Sequence, residues 1–416
     1  MPAARRFIAV FFSTLALGLG GLVAFNAWVD PYDTRVGGPG GGQDVSKPAV
    51  GEFTKISKPH AVAALQPRGL VIGSSRSEQG FAPANEAWPA DARPAFNFAE
   101  VGTTILEQRR NLEHAIATGP PRVVVFELDY YAFDVNRPHS PDFDDALLRR
   151  DADDVWRPAL RRLALLASVD TLRSSFATLR KSADVLPDRE PDGHTVDRLY
   201  LRKLAANGGH RAVFLRSERK QYLEPHFTGV RHVAWRERDG SSPGLAEFRR
   251  VLALARGHGV ALQCFIAPLH ARQREVFTAM GLADGIAAWK RALVAAIAED
   301  AAAHGAAAAC PLWDFSGYSG VTTEDVPAAG DAESRMRYYW ESSHFTRAAG
   351  DLVLYRLFDP RGARYPVPAD FGVALTSANV ERELAKQDAD AAAYRATHAA
   401  DVAEIAALVA AIRAGR

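Results

Sequence analysis

A few residues in this chain have types and spacings suited to nucleophilic acyl transfer. Gly73-Ser74-Ser75-Arg76 follows the short apolar run Gly69 to Gly73, the pattern of a buried strand feeding a sharp turn. Glycine lets the chain turn tightly, and in a parallel sheet functional groups gather beyond the carboxyl ends of the strands. A serine so placed is a candidate nucleophile, although a serine after a strand also serves as a plain turn or helix cap. Much later comes Trp340-Glu341-Ser342-Ser343-His344-Phe345-Thr346, ahead of an apolar-periodic helix from Ala348 to Phe358. A carboxylate three residues before a histidine can reach the imidazole Nδ1, fix its tautomer and stabilise the imidazolium formed when the ring takes a serine proton. The plainer alternative is that Glu341 or Ser342 caps the helix and His344 is an interior histidine.

Four further places bear on such a site. In Asn97-Phe98-Ala99-Glu100-Val101-Gly102-Thr103 a strand ends and a helix starts, so the Gly102 N–H is a candidate donor to a developing oxyanion. Glu127-Leu128-Asp129-Tyr130 ends another strand on the same edge. Ile266-Ala267-Pro268-Leu269-His270 ends a third, and its histidine either lines the pocket or sits on an exposed loop. Asp314 closes a fifth strand and is a reserve candidate for orienting His344. No His-x-x-x-His or clustered Cys/His pattern occurs among the 12 histidines, so neither a metal nor a cofactor is expected.

The elements that position these residues follow from the rest of the pattern. With 416 residues, 48% hydrophobic and 24% charged, the chain is long and apolar enough for a sizeable folded core. Lysine and arginine total 50 against 49 acidic residues, which gives the whole chain no electrostatic basis for binding nucleic acid. Apolar runs at Gly69 to Gly73, Ala95 to Ala99, Arg122 to Leu128, Val260 to Ala267 and Cys310 to Phe315 read as buried strands. Between them, Thr103 to Thr118, Gly244 to Gly257 and Gln273 to His304 carry apolar residues at helical spacing. Alternating strands and helices predict an α/β fold with a parallel sheet covered on both faces. The stretch 133–243 is too long for a simple crossover and reads as a helical insertion between strands 3 and 4, over one end of the sheet.

At the amino end, Arg5 and Arg6 precede Phe7 to Val29, 23 residues without a charge. At about 1.5 Å per residue this run crosses a bilayer core of about 30 Å, and the flanking arginines keep residues 1–6 cytoplasmic. The expectation is a single-pass anchor in the inner membrane of a bacterium, with the rest of the chain in the periplasm. Cleavage near Leu22-Val23-Ala24 or Asn26-Ala27 would release it instead. Residues 30–60 read as a linker, because 34–47 hold five glycines. The main domain then covers 61–376, and 377–416 form a carboxyl-terminal helix. Cys264 and Cys310 allow at most one bridge, and buried free thiols serve equally well as a reading.

In chain order these elements resemble the SGNH (GDSL-like) hydrolase superfamily. Ser75 in GSSR matches its nucleophile, Gly102 its second-block oxyanion glycine, and Glu341-x-x-His344 its terminal Asp-x-x-His. The resemblance is greatest to membrane-anchored bacterial members that handle envelope polymers, such as wall D-alanylation and exopolysaccharide O-acetylation proteins. It implies a flavodoxin-like three-layer α/β/α fold, an acyl-serine intermediate, oxyanion donors at Ser75 and Gly102, and partnership with a membrane-bound O-acyltransferase. A serine acyl-ester hydrolase or O-acyltransferase acting on an envelope polysaccharide is therefore expected. Ser74, Arg76, Asn97, Asp129, His270 and Asp314 are candidates to line its pocket. Three departures stand out: Glu341 replaces aspartate, Ser74 replaces the aspartate of Gly-Asp-Ser, and Gly-x-Asn-Asp is absent, with Asp129 near the place of its asparagine. An ionised carboxylate there repels an oxyanion unless Arg76 neutralises it. The alternative is a catalytically silent envelope-assembly or glycan-binding protein that keeps the fold.

Overall fold

The computed structural model describes residues 2–35, 47–149, 156–180, 189–305 and 310–415. Its main helices, in chain order, are α1 (Pro2–Val29), α2 (Ser75–Gly80), α3 (Ile105–Thr118), α4 (Arg157–Leu166), α5 (Val169–Arg180), α6 (Pro243–Gly257), α7 (Ala271–Ala279), α8 (Ala283–His304), α9 (Arg347–Phe358), α10 (Val380–Thr397) and α11 (Ala399–Arg413). They fall into two compact units. One comprises Met1–Gln66 with Asp142–Arg189, the other Pro67–Pro141 with Glu190–Arg416.

In the first unit, the helix Ala3–Val29 contains an 18-residue window of mean hydropathy 2.2 and is long and apolar enough to cross a membrane. Its final turns pack on α4 and α5. Asn26 is fully buried there, its Nδ2 donating to the Leu166 carbonyl at 2.8 Å and its Oδ1 accepting from Ser175 Oγ at 2.8 Å. Residues 142–189 thus group with the amino-terminal helix, so the stretch 133–243, expected as one helical insertion, is divided between the two units. The physical reason is that the inner sides of α4 and α5, with Leu166, Thr171 and Ser175 buried, find their complement on α1. The expected linker 30–60 is also narrower: Pro48–Glu52 and Thr54–Leu65 are helical, with Ser57 and Val62 buried. The glycine-rich part, 36–46, lies outside the described residues.

The second unit is α/β with a mostly parallel six-stranded sheet. Its strands are β1 (Gly69–Ile72), β2 (Ala95–Asn97), β3 (Val123–Leu128), β4 (Ala261–Ile266), β5 (Leu312–Asp314) and an edge strand Val373–Leu375. The order is β2-β1-β3-β4-β5 followed by that edge strand, which alone runs antiparallel. Every residue of β1 and β3 is buried, as expected of apolar runs at the centre of a parallel sheet. The order reverses between β1 and β3, so their carboxyl ends flank the crevice where open α/β sheets place their ligands. Each strand of the parallel part lies within about two residues of its apolar run.

Three helical expectations are refined. Thr104 and Glu107 form a capping box that starts α3. The stretch 273–304 divides into α7 and α8, broken around Gly281 with its positive φ of 73°. The carboxyl-terminal helix is two helices, α10 and α11, separated at His398. A separate antiparallel hairpin, β6 (Tyr339–Glu341) and β7 (His344–Phe345), precedes α9; the edge strand is therefore β8. Cys264 on β4 and Cys310 just before β5 are free and buried, with their sulfurs 3.0 Å apart.

Candidate active site

Ser75 is the first residue of α2, and the turn that presents it is clamped from below. Ser74 caps the helix by accepting from Arg76 N at 3.3 Å, while its own N–H and Oγ–H donate to Glu127 at 2.8 and 2.7 Å. Ser77 Oγ donates to the same carboxylate. Any Cβ at Gly73 would collide with the Glu127 side chain and Ser77 Oγ, so only glycine permits this close approach. Glu127 is fully buried on β3; burial and the nearby Asp129 charge push its carboxyl up, against the lowering effects of Arg76, Ser77 and Ser74.

His344 stands at the start of β7, and Glu341 at the end of β6, so the two-residue turn Ser342-Ser343 sets their relation. Ser75 Oγ and His344 Nε2 are 2.8 Å apart, although the residues are 269 positions apart in the chain. On the other side of the ring, Nδ1 faces Glu341 Oε1 and lies 3.1 Å from Ser343 Oγ. Ser343 also donates to Glu341 from both Oγ (2.9 Å) and N (3.2 Å). Burial alone would raise the Glu341 carboxyl, but the His344 charge and hydrogen bonds from His344 and Ser343 hold it at about 2. An ionised Glu341 takes the Nδ1 proton as acceptor, which leaves Nε2 free to accept from the Ser75 hydroxyl. The imidazole side chain is 13% exposed and Ser75 is half-buried, so the pair sits at a rim that a substrate can reach.

Arg76 fastens the serine turn to the histidine hairpin. Its Nε donates to the Ser343 carbonyl at 3.0 Å, its Nη1 pairs with Asp129, and its Nη2 lies 3.4 Å from Tyr222 Oη. Burial would lower the Arg76 pKa, yet the Asp129 carboxylate raises it, and the buried guanidinium stays charged. The negative charge of Asp129 is therefore met by a cation. The loop after β2 is pinned beside the same turn, with Glu100 N and Thr103 Oγ1 both donating to the Gly73 carbonyl at 3.1 and 3.0 Å. Gly102 lies within that loop at a φ of 73°.

Other sequence candidates are placed elsewhere. Asn97 is fully buried and its Nδ2 donates to the carbonyls of Ser77 (2.9 Å) and Phe81 (2.8 Å), so it holds α2 on the sheet and lines no pocket. His270 is neither an exposed loop residue nor open to a pocket. It caps α7, accepts from Arg272 N at 3.2 Å and donates from Nε2 to the Glu324 carbonyl at 2.7 Å, and burial pushes it down to about 4. Asp314 does not orient His344. Its carboxylate is taken by Lys290 Nζ (2.6 Å), Ser316 and Gln387. Burial would raise it, but the Lys290 charge and these hydrogen bonds hold it at about 2. Ser74 is a buried cap, as described. Ser343 and Glu127 lie within the stretches read from the sequence, but their roles in holding the site emerge only from the structure. A serine between the paired acid and histidine, and an acid two residues before Asp129, were the available signals.

A cavity of about 400 Å³ is lined by Arg76 and Asp129 together with Ile266, Trp289 and Lys290, but by neither Ser75 nor His344. Among the described residues no group of three or more His, Cys, Asp or Glu side chains is arranged to hold a metal ion. In comparisons with known proteins, no family model matches the chain and no curated protein matches it.

Proposed function

We propose that this protein is a serine acyl-ester hydrolase or O-acyltransferase of SGNH type, with a flavodoxin-like three-layer fold, acting on an envelope polysaccharide or similar polymer outside the membrane. The observation that carries the reading is the continuous relay from Glu341 through His344 Nδ1 and Nε2 to Ser75 Oγ, with its 2.8 Å final contact. In the first half-reaction His344 Nε2 takes the Ser75 proton as Oγ bonds to the acyl carbon. The carbonyl oxygen becomes an oxyanion, and the leaving oxygen departs with the proton returned by His344. Glu341 stabilises the transient imidazolium. The family resemblance assigns the N–H groups of Ser75 and Gly102 to the oxyanion. In the second half-reaction water or a sugar hydroxyl loses its proton to His344 and attacks the acyl-serine, releasing Ser75. Hydrolase and transferase differ only in that acceptor.

A membrane anchor over residues 7–29, with the catalytic unit on the periplasmic side, accords with Arg5 and Arg6 and with the buried Asn26. A cut near Ala24 or Ala27 would separate the anchor from the helices that enclose Asn26. Acyl-CoA donors are cytoplasmic, so a transferase placed there needs acyl groups passed across the membrane, and a membrane-bound O-acyltransferase is the proposed partner.

The alternative of a silent scaffold draws on Asp129, which offers no amide donor to an oxyanion. The test is labelling of the full solubilised chain with a fluorophosphonate, read by intact mass and peptide mapping. An adduct on Ser75 that disappears in Ser75→Ala and His344→Ala supports the relay. A folded wild type that takes no label sinks it and favours the scaffold. Acetyl-ester turnover with and without an oligosaccharide acceptor then separates hydrolysis from transfer.

A further inference from the structure

The first unit exposes a surface that the acyl-transfer site does not use. On α4 and the residue before it, Trp156, Leu160 and Leu163 are 74%, 63% and 51% exposed. They fall at positions i, i+4 and i+7, so they share one face of the helix. On α5, Val169, Phe176 and Leu179 are exposed in the same way at i, i+7 and i+10. Between residues 156 and 180 the sequence has five arginines, Arg157, Arg161, Arg162, Arg173 and Arg180, against the single acid Asp170. Two short helices with bare apolar faces and a basic excess are unusual on a surface bathed only in water.

The length of α1 says what covers them. From Phe7 to Gly21 the helix is exposed throughout, and beyond Gly21 one side of it packs on α4 and α5 while Ala24 and Trp28 stay exposed. Fifteen residues at about 1.5 Å each span about 22 Å, short of a hydrocarbon core of about 30 Å. About 20 residues are needed, which from Phe7 reaches Asn26. The segment of α1 that carries Phe25 and Asn26 must therefore lie within or at the outer boundary of the core, and the helices packed on it lie at the same depth. Phe25 meets Phe176 there with ring centroids 5.2 Å apart.

We infer that α4 and α5 form an interfacial platform whose apolar faces sit in the outer leaflet of the anchoring membrane, with their arginines at the level of anionic lipid headgroups. The occupant of the bare faces is lipid, continuous with the lipid around α1. A basic amphipathic helix lying in the interface has this composition, with tryptophan at the headgroup boundary. The platform would fix the rotation and depth of α1 and resist its withdrawal.

This inference rests on the anchor reading, and its test separates the two. The full chain is placed singly in nanodiscs of phosphatidylglycerol and phosphatidylethanolamine whose acyl chains carry bromine either near the headgroups or near the bilayer centre. Emission from Trp156 is obtained by difference against Trp156→Phe, and a Leu17→Trp variant reports on the middle of α1. Shallow bromines should remove most Trp156 emission, and deep bromines most of the emission added by Leu17→Trp. The combined change Leu160→Glu and Leu163→Glu should abolish Trp156 quenching with helix content unchanged. If the Leu17→Trp reporter is quenched and Trp156 is not, whether Trp156 is in water or covered by protein, the platform is overturned and the anchor stands. If neither is quenched, both fail.

Discussion

Two buried carboxylates in the sheet-containing unit have nearly the same acidity and opposite prospects. Glu341 and Asp314 are both held at about 2, against the upward push of burial, by a cationic partner and hydrogen bonds. The partners differ. Lys290 places its Nζ on Asp314, Ser316 Oγ and Gln387 Oε1 at 2.6, 2.8 and 2.9 Å, which accounts for all three ammonium protons. His344 meets Glu341 with one nitrogen and keeps the other for Ser75. A saturated pair fixes the α8–β5–α10 junction, while a pair with one valence turned outward can move a proton. A strongly perturbed acid is thus a marker of function only when its partner still has something to exchange.

The sharpest way to break this comparison is at the two acids and their partners. His344→Ala and Glu341→Gln should slow fluorophosphonate labelling of Ser75 by about 10²- to 10⁴-fold, since one removes the base and the other the acceptor that sets its tautomer. Asp314→Asn should leave that rate unchanged while the fold is intact; equal losses in both variants would erase the distinction. Lys290→Met, which strands Asp314 as an unpaired buried charge, should cost about 3–5 kcal/mol of unfolding free energy in urea titrations. Combining it with Asp314→Leu should recover much of that loss. A Lys290→Met protein that kept full stability would show the pair to be something other than structural.

Acid sharpens the contrast further. Both carboxyls are depressed in the folded state, from ordinary values of 4.5 for Glu341 and 3.8 for Asp314 to about 2. The unfolded chain therefore takes up their protons first, and the stability they contribute is present above those ordinary values and lost as pH falls through about 2. On this account Asp314 should contribute about 2 kcal/mol and Glu341 about 3 kcal/mol. Stability followed between pH 5 and pH 2 should decline less steeply in Asp314→Asn than in wild type. The smallest effect is expected at Ser74. Ser74→Ala removes a helix cap and one hydrogen bond to Glu127, for about 0.5–2 kcal/mol, and should leave the label on Ser75. Transfer of the label away from Ser75 would reverse the roles given to the two serines.

Much of the scaffold was legible because its signals are local. Continuous apolar runs give β1 to β5 their places, and the Thr104-Glu107 box marks the start of α3 within its own turn. Glu341 and His344 are three residues apart, so a hairpin turn suffices to join them. The misplaced residues are those whose partners come from distant segments. His270 met Glu324, Asp314 met Lys290 and Gln387, and Asn97 met the carbonyls of α2. Likewise, the stretch 133–243 reads as helical without saying which surface receives its helices, and α4 and α5 joined α1 in a different unit from the sheet.

The sequence by itself determined an apolar amino-terminal helix, a succession of buried strands and helices, a serine after the first strand and an acid-histidine pair near the end. These follow from side-chain spacing along a few turns or one strand. Only the tertiary structure decided that Ser75 and His344 meet. That contact depends on α2 lying against β7 and α9 at a distance that Gly80 and Gly350 alone permit, since a Cβ at Gly350 would strike the Gly80 carbonyl and one at Gly80 the Phe345 ring. It also decided that Arg76 neutralises Asp129 and ties the serine turn to Ser343. Spacing along the chain dictates which element forms, but the order of strands and the closeness of packing between remote elements dictate which charge faces which.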